Sequence, residues 1–122
     1  MTTTKRLLLG LATLVWTTTA QAGEGKGSLD KEQIRKVVRE HIVEIRDCYN
    51  AALQGDPEAK GRVVIDFTIG EQGQVTQAAV GSSDMTSDAA PSCMRDVIRG
   101  WSFPKPNGGS VQVSYPFVLE PG

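Results

Sequence analysis

Histidine is almost missing from this chain, and His41 is the only one. Cysteine is nearly as scarce: Cys48 and Cys93 form no C-x-x-C pair and fit no metal-binding spacing. A cysteine–histidine zinc site and a thioredoxin-type redox motif are therefore excluded as readings. Also lacking is an apolar run long enough to span a bilayer. The longest, Leu7 to Trp16, is about half of the roughly 20 residues that a spanning helix needs. Nor is there a surplus of basic charge, with 13 Lys and Arg against 14 Asp and Glu. Lys31, Arg35, Lys36, Arg39 and Arg46 interleave with Glu32, Glu40, Glu44 and Asp47, the pattern of a solvated helix face with i,i+4 pairs. No nucleic-acid partner is expected from it.

What is present starts with a leader. Lys5 and Arg6 precede the short apolar run, and Ala20-Gln21-Ala22 supplies small residues for cleavage. Residues 1–22 thus read as a secretory signal, which directs the chain out of the cytoplasm, most simply to the periplasm or cell surface. The competing reading is an uncleaved anchor. Loss of Lys5 and Arg6 with the leader would shift the formal charge from −1 to −3. Residues 23–29 are glycine-rich and expected to be a flexible leader, and residues 30–122 make up one domain.

Periodicity fills in that domain. Asp30 is placed as an N-cap with Gln33 three residues later, and Leu29 and Ile34 fall at the staple positions. Ile34, Val38, His41, Ile45, Cys48 and Ala52 recur at helical spacing, predicting one continuous helix. Gly55 is expected to end it in a left-handed conformation, before Asp56-Pro57. Val63, Ile65, Phe67 and Ile69 alternate with more polar residues, as in a half-buried strand. Gly70 to Gly73 predicts a hairpin turn, Gln74 to Val80 its partner strand, and Gly81 to Asp84 a loop. A second helix starts near Ser87 or Asp88, tolerates Pro91 in its first turn, and stops at Gly100 and Pro104. Val111, Val113, Tyr115, Phe117 and Leu119 share one face of a last strand, in which Pro116 signals a sheet edge or bulge.

The order is α-β-β-α-β. The helix between the second and third strands requires those two to run parallel, and the first strand fits between them. The expected fold is α+β: two layers, a three-stranded antiparallel or mixed sheet in order 2-1-3, and two helices on one face.

Few residues suggest chemistry. In an oxidising compartment, Cys48 and Cys93 are expected to form a disulfide between the two helices. Two buried free thiols are the alternative, and a reactive thiol has only Arg95 as a cationic neighbour. His41 lies about 10 Å along the helix from Cys48, too far for direct proton transfer. Asp84, Ser87 and Asp88 lack the calcium-loop pattern and suit helix capping. Trp101 and Phe103 suit a core plug where the second helix turns into the last strand. No acid, base and nucleophile set is evident, so no enzyme activity, cofactor or small-molecule substrate is expected.

The ordered set Gly61-x-Val63-x-Ile65-x-Phe67, Gly73-x-Val75, Ser82-Ser83, Trp101-x-Phe103-Pro104 and Tyr115-Pro116-Phe117 resembles the C-terminal domain of TonB-type proteins. With Cys48-Tyr49 and Cys93 it is most similar to the stand-alone AgmX/PglI C-terminal type of myxobacterial gliding and surface proteins. The likeness covers most of Asp30 to Leu119. It implies a module that receives an extended segment of an envelope protein on the edge of its last strand. Gln112, Ser114 and Pro116 would lie on the open face, with Tyr115 and Phe117 as anchors. Neither the membrane helix nor the proline-rich spacer of energy transducers is seen, so the resemblance is to the partner-binding end alone. It also leaves a second expectation, a self-associating accessory subunit pairing through the same edge as a homodimer.

Overall fold

The computed structural model describes residues 26–121. The expected signal sequence, residues 1–22, lies outside them. The elements are α1 (Lys31–Glu40), α2 (Ile42–Gly55), β1 (Gly61–Ile69), β2 (Val75–Ser83), α3 (Ala89–Ile98) and β3 (Val111–Leu119). The sheet has the order β2-β1-β3, and β1 is antiparallel to both neighbours. β2 and β3 therefore run in the same direction on either side of β1, as the crossover through α3 requires. α3 packs on β1 and β2, and α2 packs on α3. The α+β fold and the strand order agree with the sequence reading.

The first helix does not run unbroken. Asp30 caps α1 as expected, its Oδ1 accepting from the Glu32 amide at 3.0 Å, one residue before the position that a capping box uses. The break falls at His41 (φ −111°, ψ 12°), and α2 restarts with the Glu44 amide donating to the His41 carbonyl. There the imidazole Nδ1 donates to the Val37 carbonyl at 2.9 Å, in competition with the backbone. Its ring lies 4.8 Å from that of Trp101, whose Nε1 donates to Glu44 Oε1 at 3.0 Å. Contacts with Trp101 thus fix the joint. Each half then aims its own stripe inward: Ile34, Val37 and Val38 from α1, and Ile45, Cys48 and Tyr49 from α2. Gly55 does not turn left-handed. It is the last residue of α2, and Asp56 makes the turn, with its amide on the Ala52 carbonyl and its Oδ1 accepting from Glu58.

Val63, Ile65 and Ile69 of β1 are completely buried, so β1 forms the floor of the core. The predicted hairpin turn is present, with Gly73 at φ 96°. A side chain there would collide with the Phe103 carbonyl, 2.1 Å from the Cβ position, and the Phe103 amide donates to the Gly73 carbonyl. β2 is longer than the sequence predicted, because Gly81 to Ser83 belong to the strand. The pairing steps from Ile69↔Val75 to Thr68↔Gln77, and from Ile65↔Val80 to Val64↔Ser82, leaving Thr76 and Gly81 as bulge residues. Such insertions break the alternation that pattern reading depends on. The leader is not free at its described end either: Gly27 and Ser28 bond to Ser110 and Asn107.

Candidate functional site

Cys48 and Cys93 are joined by a disulfide between α2 and α3, with Cα atoms 5.6 Å apart. In this state neither sulfur is a thiol. The His41 ring is occupied by the Val37 carbonyl and the Trp101 ring. Asp84 accepts from the Arg62 amide at 2.7 Å, and the Ser87 hydroxyl accepts from the Ala89 amide at 3.0 Å. Asp88, expected to cap, stands at the cap position without a side-chain hydrogen bond. Among the described residues no cluster of His, Cys, Asp and Glu could hold a metal. Trp101 and Phe103 are buried, Phe103 stacking against Phe67 at 5.7 Å.

Tyr49 widens the apolar stripe of the helix, and the partner of its hydroxyl is not legible in the sequence. The Tyr49 hydroxyl donates to the Ala59 carbonyl and so ties α2 to the approach of β1. Burial raises its pKa first, and Glu120 and Asp56 raise it further. The adjacent cysteine was the available signal, because a tyrosine beside a buried cross-link faces the same core.

The third strand places the predicted edge residues together. Gln112, Ser114, Pro116 and Val118 are exposed, whereas Val111, Val113 and Tyr115 are half-buried and Phe117 and Leu119 buried. Tyr115 and Phe117 are in contact, ring centroids 5.1 Å apart. Ser114 donates to Asp66 Oδ1 at 2.7 Å across the uncovered face of the sheet. Nine register pairs link β3 to β1 without a shift, and among the described residues no strand lies on its other side.

The direction of the β3 peptide groups follows from alternation. The Gly70 amide donates to the Gln74 carbonyl on the β2 side, so even-numbered residues of β1 face β2 and odd-numbered ones face β3. Their β3 partners are also odd-numbered, Val111 through Leu119. The even-numbered residues, Pro116 among them, then turn their peptide groups outward, where a proline costs the β1 ladder nothing. The open edge offers amides at Gln112, Ser114 and Val118, and a gap at Pro116.

Beside this edge runs a groove whose other wall is α1 and α2. One stretch, about 510 Å³, lies between Leu29 and Ile34 on one side and Val111 to Pro116 on the other. The next, about 420 Å³, continues past Val38, Ile42 and Tyr49 to Phe117 and Glu120. Strand edge and apolar groove together suit main-chain recognition of an extended chain, with pockets for alternate side chains. The opposite edge suits it less, because the two bulges of β2 twist and interrupt its row of peptide groups. Comparison with protein families, with characterised proteins and with solved structures yields no match to this chain.

Proposed function

We propose that this protein is a binding module, exported to the cell envelope, that captures an extended segment of an envelope protein by strand addition at β3. The observation that carries the reading is the open edge of β3, regular over nine residues and flanked by a groove of apolar and cationic side chains. The resemblance of the sequence to TonB-type C-terminal domains points to the same surface. The leader-like residues 1–22 and the Cys48–Cys93 bridge favour export, since such bridges persist in oxidising compartments. The function proposed is binding, without catalysis.

Site-specific photo-crosslinking from Gln112 and Ser114 in cells, read by mass spectrometry, tests it. A discrete adduct with another envelope protein is the expected result. A self-adduct would replace this reading with a homodimeric accessory subunit. No adduct from either position, in exported and folded protein, would overturn the edge-strand reading.

A further inference from the structure

The charged residues of α1 and α2 that line the groove are all cations. The side chains that line the groove include Lys31 and Arg35 in its first stretch and Arg39 and Arg46 in its second. The one carboxylate lining it, Glu120, stands at its far end, beyond Leu119. Glu44, by contrast, lies on the side of Trp101, whose indole it accepts from. β3 itself has no charged residue between Val111 and Leu119. Among the described residues Lys31, Arg39 and Arg46 have no ion-pair partner, and the Arg35–Glu32 pair is exposed and easily exchanged.

Resting on the strand-capture reading, we infer that the captured segment is acidic, with apolar residues and Asp or Glu taking turns along the row of alternate residues that faces the groove. Its apolar side chains fit against Leu29, Ile34 and Ile42. Its carboxylates fall beside Lys31, Arg35 and Arg39, level with Val111 to Pro116, and Glu120 makes the other end unfavourable to them. A second copy is the poorer occupant. It would bring a neutral strand and an identical row of cations, and like charges set side by side oppose pairing. The cations thus have two effects, steering an acidic segment in and discouraging edge-to-edge association.

Three synthetic octapeptides test this, with threonine at every second position and valine taking turns with glutamate, glutamine or lysine at the others, so that one face carries both residue types. Each is titrated into the disulfide-bonded protein while backbone amide signals are followed by NMR. The glutamate peptide is expected to shift the amides of Gln112, Ser114 and Val118. It should bind about tenfold more tightly than the glutamine peptide, several weak exposed pairs acting together. The advantage should vanish near 0.5 M salt, where screening is nearly complete at these distances. K31Q/R35Q/R39Q should remove the preference for the glutamate over the glutamine peptide. Equal affinity for the glutamate and glutamine peptides at those same amides overturns the charge inference and leaves strand capture standing. No shift of those amides by any peptide overturns strand capture itself. An acidic preference that survives the triple substitution also overturns the inference.

Discussion

The two flanks of β1 are built to different standards. On the β2 side the strand is bulged twice, α3 lies over it, and the Cys48–Cys93 bridge ties α3 to α2. On the β3 side the pairing is regular, the inward row of Val111, Val113 and Tyr115 is only half-buried, and the edge is unpaired. One central strand therefore separates a closed half, where burial and a cross-link concentrate stability, from an open half, where regular geometry is left available. A domain of this size buries roughly 60–70% of its unfolded surface, and its incomplete coverage is collected on one edge. Breaking one half should leave the other largely unaffected.

The largest effect is expected from the closed half. Replacing both cysteines with alanine reopens a loop spanning a sequence separation of 45 and should cost about 4 kcal/mol by the loop-entropy argument. The urea midpoint of oxidised, reduced and substituted protein measures it. Amide shifts of β3 on peptide binding should persist wherever the variant stays folded. Next comes Met94→Ala, at a completely buried site, expected to cost about 3 kcal/mol. Val113→Ala, half-buried in the open half, should cost nearer 1 kcal/mol. Equal losses at the two positions would erase the distinction between the halves.

Proline substitution sharpens the comparison within a single strand. Val113 directs its amide to β1, so Val113→Pro leaves a ladder acceptor unpaired, at about 1–3 kcal/mol. Gln112 directs its amide outward, as Pro116 does its nitrogen. Gln112→Pro should lower the melting temperature little and still abolish capture of a partner strand. If the two substitutions destabilise equally, the outward assignment of the even-numbered peptide groups is wrong.

These halves were unequally legible in the sequence. Alternation marked the inward rows of β1 and β3, and Pro116 marked β3 as an edge, because side-chain period and a missing donor are local facts. The bulges at Thr76 and Gly81 were not legible. A side chain at Gly81 would meet the Asp66 carboxylate, 2.5–2.8 Å from its Cβ position, a contact across strands. The break at His41 was hidden for the same reason, since it depends on Trp101, far away in sequence. Lys31, Arg35, Arg39 and Arg46 read as an ordinary mixed helix face. Their gathering along one groove appears only when α1 and α2 are set beside β3.

Tyr49 lies where the halves meet, and its effect should be the smallest. It belongs to the helix that carries the bridge, yet it also lines the groove near Phe117 and Glu120. Its pKa is held above 10.0 by burial, then by Glu120 at the end of β3 and Asp56 at the end of α2. As pH rises past 10.0, the unfolded chain loses this proton first while the folded chain retains it. The contribution of Tyr49 is thus complete below the unfolded value and disappears as pH climbs through the folded one. Urea midpoints between about pH 8.5 and 11 should fall more steeply for the native chain than for Tyr49→Phe. Glu120→Gln should give an intermediate slope, because it removes the carboxylate and leaves the burial. A slope for Tyr49→Phe equal to that of the native chain would show that Tyr49 leaves its site before it ionises. The boundary between the halves would then open before either half unfolds.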